Sequence, residues 1–140
     1  MIIISCDHAG FDLAKKITEY FTKHKIDVKY MGPTEFNKDD DYPDFIIPAT
    51  KEVLKDKENF GIFVCGSGIG ANMVANRYKG IRAVLAQDES LAYLARKDED
   101  ANVLTLGARL TSFRSALKII KVFLTSEFEG GRHIRRIAKY

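Results

Sequence analysis

Short apolar runs, each separated from the next by a longer amphipathic or polar stretch, restrict this chain to one kind of architecture. The runs are Ile2–Cys6, Ile26–Met31, Phe60–Cys65, Ile81–Ala86 and Asn102–Leu106. Apart from Ile26–Met31, where Asp27 and Lys29 interleave, these runs lack polar alternation and read as strands buried on both faces, which belong to parallel sheets covered by helices on each side. Helices are read over about 11–24, 45–54, 89–96 and 112–125, with another opening at the glycine-rich segment Gly66–Gly70. In the first of these Phe11, Ala14, Ile17, Tyr20 and Phe21 fall on one face. Gly32-Pro33 and the polar stretch Asn37–Asp41 make an exposed loop, which Pro43 closes. With 140 residues there is room for one core. The expectation is a single α/β domain over residues 1–140, a Rossmann-like three-layer sandwich around a five-stranded parallel sheet.

Charge matters here through its position. The formal net charge is +3, yet Arg132, Arg135, Arg136 and Lys139 all lie in the last nine residues, where there is no acid. The first 131 residues carry 18 basic and 19 acidic groups, a net of −1. A nucleic-acid partner calls for a broader basic face, whereas a few arginines suit one small anionic ligand or a solvated terminal helix, which the segment from about Gly131 to Lys139 can form. No segment reads as a signal peptide or membrane anchor. The two cysteines, Cys6 and Cys65, have neither disulfide-framework nor metal spacing, and the three histidines lack paired-ligand spacing, so a reducing, cytoplasmic setting and no metal site are expected.

In open parallel sheets the ligand crevice lies beyond the carboxyl ends of the strands. The residues delivered there are Asp7 and His8 after the first strand, Asp41 and Tyr42 after the second, Cys65 and the glycine segment after the third, Gln87 and Asp88 after the fourth, and Gly107 and Arg109 after the fifth. The run Cys65-Gly-Ser-Gly-Ile-Gly-Ala is the most informative. Closely spaced glycines let backbone N–H groups converge on an anion or a developing oxyanion. Cys65 at this junction is either a base or nucleophile, or a buried strand-end thiol. A phosphatase of the Cys-x5-Arg type needs an arginine where this chain has Ala71. A dinucleotide fingerprint is met formally by Gly66, Gly68 and Ala71 with Asp88 beyond, but it follows the third strand and leaves no room for a substrate domain. Proton transfer beside a carbonyl remains, with Cys65 as base and the loop amides holding an enediolate.

Six blocks then resemble one family in order and spacing: Cys-Asp-His-Ala-Gly at 6–10, Asp-Tyr-Pro-Asp at 41–44, Cys-Gly-Ser-Gly-Ile-Gly at 65–70, Ala-Asn-Val-Leu at 101–104, Leu-Gly-Ala-Arg at 106–109 and Glu-Gly-Gly-Arg-His at 129–133. They are similar to ribose-5-phosphate isomerase B, a family that also includes galactose-6-phosphate and allose-6-phosphate isomerases. The resemblance implies a cofactor-free aldose–ketose isomerase of the pentose phosphate pathway that interconverts ribose 5-phosphate and ribulose 5-phosphate through an enediolate. The alternatives are a six-carbon sugar phosphate as substrate, or a non-catalytic sugar-phosphate-binding subunit.

By the same resemblance Cys65 is the catalytic base, and Ser67 with the amides of Gly66, Gly68, Ile69 and Gly70 holds the enediolate oxygen. Asp7, Tyr42 and Asn102 line the sugar pocket, while His8, Arg109, Arg132 and Arg136 bind phosphate. The basic tail, residues 129–140, is expected to reach the site of a neighbouring subunit in a homodimer or tetramer, with no nucleic acid or membrane involved. Asp98-Glu99 stands where many members have His-Asn, the histidine being their candidate for ring opening. Asp98 either takes over that proton relay or is a solvated helix-end carboxylate, with ring opening left to another group, to water or to the open-chain fraction.

Overall fold

Pairing the apolar runs side by side lets the central ones bury both faces, as Ile2–Cys6, Phe60–Cys65 and Val103–Gly107 do, while the two edge runs stay partly exposed. The computed structural model describes residues 1–140. Strands β1 (Ile2–Cys6), β2 (Val28–Tyr30), β3 (Phe60–Cys65), β4 (Ala83–Leu85) and β5 (Val103–Gly107) form one all-parallel sheet in the order β2-β1-β3-β5-β4. Six helices connect and flank them: α1 (Phe11–Lys23), α2 (Tyr42–Val53), α3 (Ile69–Ala75), α4 (Glu89–Glu99), α5 (Phe113–Thr125) and α6 (Arg132–Ile137). None is long and apolar enough to cross a membrane.

Successive strand residues point to opposite faces, and this divides the core in two. Ile2, Ile4, Cys6, Ile62, Val64, Leu104 and Leu106 pack beneath α1, α4 and α5. Ile3, Phe63, Cys65 and Val103 meet α2 and α3 on the other side. Phe123 of α5 is fully buried, with its ring edge-to-face on Phe60 at 5.9 Å. Phe123→Ala should therefore cost about 3–5 kcal/mol of unfolding free energy in a urea titration.

Several boundaries differ from the sequence reading for local reasons. The second run loses its first residues to a turn, because the Ile26 N–H donates back to the Phe21 carbonyl and Lys25 has a φ of 57°. The fourth run is shortened because the Ile81 N–H closes a turn on Tyr78 and the Arg82 N–H donates to Asn102 Oδ1. Helix α2 begins at Tyr42, not Phe45. Pro43 fits its first turn, where no N–H is required, so it opens the helix and does not close the loop. Helix α4 continues to Glu99 because its left-handed cap, Asp100, is held by Arg96 at 2.7 Å and by Arg82 at 2.9 Å.

The sheet order places a topological switch between β1 and β3. From the carboxyl end of β1 the chain leaves through α1 on one face, and from that of β3 it leaves through α3 on the other. The two connections diverge and leave a crevice above the carboxyl ends of β1 and β3.

Candidate active site

At that crevice the backbone does more of the positioning than the side chains do. Gly68 turns the chain from β3 into α3 with a φ of 81°, a region that L residues rarely adopt. A Cβ there would also lie 2.5 Å from Leu85 and 2.9 Å from the Leu106 carbonyl carbon. The N–H groups of Gly66, Ser67 and Gly68 find no acceptor within the chain, while that of Ile69 donates to Ser67 Oγ at 3.3 Å. Three adjacent amides are thus free to serve an external oxygen.

A small open pocket of about 180 Å³ lies here, lined by Asp7, His8, Ala9, Tyr42, Cys65, Gly66, Ser67, Gly70 and Arg109. Cys65 ends β3 and is 4% exposed at the pocket floor. Tyr42 lies across Gly70 so closely that a Cβ on that glycine would sit 2.8 Å from its ring. The Arg109 guanidinium lies over Gly66, 3.1 Å from where a side chain would start. Asp7, 5% exposed, spends one oxygen on the Gly10 N–H at 2.9 Å, so it shapes the turn after β1 as well as facing the pocket.

His8 has a partner that the sequence reading missed. Asp40 Oδ1 accepts from the His8 backbone N–H at 3.0 Å and bonds its Nδ1 at 2.6 Å. The hydrogen bond to Asp40 holds the imidazole above its ordinary value of 6.5, favouring the cation. Asp40 lies in the acidic loop Asn37–Asp41, whose charges read as solvated; nothing local marks the one that folds back 32 residues. The two thiols also differ. Cys6 faces away into the α1 layer with Sγ 3.3 Å from the Tyr30 hydroxyl, and burial pushes its thiol up to about 12, which makes it inert.

The matching family model, described as Ribose/Galactose Isomerase, spans residues 2–140. The chain belongs to this family. It is 42% identical over 139 residues to the probable ribose-5-phosphate isomerase B of Mycoplasma genitalium, covering 99% of this chain and 91% of that protein. To the Escherichia coli ribose-5-phosphate isomerase B it is 34% identical, covering 97% and 91%. The crystal structure of the Mycoplasma genitalium enzyme with bound ribulose-5-phosphate superposes with a TM-score of 0.94, at 42% identity and over 99% of this chain and 91% of that one. The Thermotoga maritima ribose 5-phosphate isomerase also superposes with a TM-score of 0.94, at 40% identity over 99% and 94%.

Not every residue marked by the isomerase resemblance reaches the pocket. Asn102 precedes β5 at the amino edge of the sheet, where its side chain bonds the Gly80 carbonyl at 2.8 Å and the Arg82 N–H at 2.9 Å. It ties two loops together on the side opposite the crevice and does not line the pocket of its own chain. Gly68 is buried in the turn and the Ile69 side chain points outward, 53% exposed, so what these two can offer the pocket is backbone: the turn itself and, at Gly68, a free N–H. Asp88 caps α4 by accepting from the Leu91 N–H at 2.9 Å.

Asp98, Arg132 and Arg136 also stand apart. Helix α4 starts at the crevice side and descends, so Asp98 in its last turn lies near the amino edge, where its Oδ1 faces His133 Nε2 at 3.6 Å. The chain leading into α6 is fastened there, the Glu129 N–H donating to the Lys97 carbonyl at 2.9 Å. Within one chain these three side chains do not meet the pocket. A larger cavity, about 680 Å³ along the exposed edge of β4, contains none of the pocket's chemical groups.

Proposed function

We propose that the chain interconverts ribose 5-phosphate and ribulose 5-phosphate, with Cys65 as the base. The observation that carries this is the convergence of one pocket-facing thiol with three unpaired backbone amides at the switch point. The Cys65 thiolate takes the proton from C2 of the open-chain aldose. The C–H electrons form the C1–C2 double bond, and the aldehyde oxygen becomes an oxyanion held by the amides of Gly66, Ser67 and Gly68. Return of the proton to C1, with transfer of the O2 proton to O1, gives the ketose. Atoms and charge balance without a cofactor. Ser67 and the Gly70 end of the loop shape the oxyanion site, and Asp7 and Tyr42 border the sugar.

The phosphate is assigned to His8 and Arg109 from this chain and to Arg132 and Arg136 from a neighbour. A pocket of about 180 Å³ falls below the ~300–1,000 Å³ usual for small-molecule sites, so a single chain offers only part of the enclosure. A homodimer or larger assembly in which α6 and the end of α4 cover the partner's crevice would complete it. Asp98 would then open the ring in trans. The working compartment is the cytoplasm, consistent with two free thiols.

The direct test is incubation of purified protein with ribose 5-phosphate while the ketose is measured, alongside allose 6-phosphate and galactose 6-phosphate. Fastest turnover of a hexose phosphate, or none of any, would overturn the assignment.

A pH dependence follows from His8. The imidazolium attracts the phosphate dianion, so KM should stay low below the raised His8 value and increase as pH climbs through it. In Asp40→Asn the hydrogen bond that raises this value is weakened. The increase in KM should then begin at a lower pH, with kcat at saturation little changed. Identical KM profiles would remove His8 from the phosphate site.

A further inference from the structure

Away from the crevice, one imidazole is buried without a partner and faces two carboxylates. His133, 6% exposed, opens α6, and its Nε2 has no hydrogen-bond partner. Burying such a nitrogen unpaired is costly, and in native proteins it calls for a missing partner. The nearest acidic oxygen, Asp98 Oδ1, is 3.6 Å away, beyond the range of a good N–H···O bond. Two ligands held about 2.0–2.2 Å from a tetrahedral ion, however, lie about 3.3–3.6 Å apart. Glu129 completes the group, and one ligand atom from each residue lies within 4.8 Å of the others.

We propose that Asp98, Glu129 and His133 form a binding site for a divalent transition-metal ion, Zn²⁺ above all. An imidazole nitrogen with two carboxylate oxygens is a borderline donor set that suits Zn²⁺ or Co²⁺ and disfavours Mg²⁺ and Ca²⁺, which prefer all-oxygen shells. Three protein ligands leave the fourth position to water. The scaffold is already assembled: the Glu129 N–H is bonded to the Lys97 carbonyl, and Lys97 Nζ holds Glu129 Oε2 at 3.2 Å while the other oxygen stays available. Asp98 and Glu129 are 32% and 53% exposed at the side chain, which gives an ion a path inward and lets Glu129 swing. The other group with comparable spacing, Asp7, His8 and Asp40, has its imidazole engaged by Asp40 at 2.6 Å and belongs to the crevice.

The bound ion would join the end of α4 to the start of α6, elements otherwise tied there by surface contacts. It also draws on the carboxylate to which ring opening is assigned above, but the measurements that test it do not depend on turnover.

The full-length protein, freed of metal with a chelator and carrying Cys65→Ala to remove a competing thiol, is titrated with Zn²⁺ by calorimetry and with Co²⁺ by visible absorption. One ion per chain is expected, with d–d bands of a four- or five-coordinate Co²⁺ site and an increase in Tm of about 5 °C at saturating Zn²⁺. Loss of an outer-shell partner alone costs about 10–100-fold in metal affinity, so Glu129→Gln and Asp98→Asn should each weaken binding by about 100-fold. Both positions are partly exposed, and circular dichroism checks that the variants fold. His133→Gln should do the same. Absence of binding at millimolar Zn²⁺, or affinity unchanged in Glu129→Gln or Asp98→Asn, overturns the proposal.

Discussion

Cys65→Ala should lower kcat for ribose 5-phosphate isomerisation by about 10³-fold, within the ~10²–10⁴-fold that a positioned acid–base group supplies. That is a loss of about 4 kcal/mol of transition-state stabilisation. KM should change little, because the groups assigned to the phosphate lie around His8 and Arg109, and the thiol acts only once the C2 proton is in flight. The fold should survive, since alanine fits the Cys65 space and removes no hydrogen bond in which the thiol takes part. Two readouts check the role: ketose formation at saturating substrate, and exchange of the C2 hydrogen in deuterated water. A catalytic thiol predicts that both collapse together. Turnover within about threefold of the wild type would mean that the proton is moved by another group. Cys6→Ala is the matched control, because its thiol is sealed in the α1 layer and held in the protonated form, so turnover should be unaffected.

That experiment concerns the part of the site that was legible in the sequence. Strand-end residues inherit their place from the sheet, so once the apolar runs were ordered, Asp7, His8, Cys65 and Arg109 had to emerge at one rim. The glycine run marked the loop, but only the folded chain shows that Gly68 is the residue that takes the left-handed turn. What stayed hidden depended on contacts between distant segments. Asp40 is one of four consecutive acids and lysines in a polar loop, and only the folded chain shows which of them meets His8. Asn102 stands away from its own chain's pocket for a related reason. It sits in a block matched by the resemblance, but one residue before β5 begins, at the amino edge, where a side-chain amide is needed to bridge Gly80 and Arg82. Which end of a strand a residue occupies decides whether it is near the chemistry. Helix direction decides it likewise for Asp98, carried by α4 away from the crevice.

The direction of α4 and the anchoring of α6 lead to the second large effect, a recovery of activity on mixing two inactive proteins. Arg132 and Arg136 are exposed on α6, which packs against the end of α4 and away from the chain's own pocket. If they bind phosphate, they do so in a neighbour's crevice. The double variant Arg132→Ala/Arg136→Ala should therefore be nearly inactive at low substrate, through a large increase in KM, while keeping an intact Cys65. Cys65→Ala is inactive but keeps its arginines. In a mixed dimer, one crevice lacks the thiol and also receives the arginine-free tail, so it is dead. The other combines Cys65 with the partner's arginines and is whole. Random reassembly of equal amounts makes about half of the dimers mixed, so about a quarter of wild-type activity should return. The experiment unfolds and refolds the two variants together and assays ribose 5-phosphate turnover, with each variant refolded alone as the baseline. Arginines that served their own chain's pocket would leave every crevice defective in one component, and mixing would restore nothing. Recovery near one quarter requires that each active site be built from two chains, which ties catalysis to assembly: dilution below the dimer dissociation constant should then abolish turnover while the sheet of each chain stays folded.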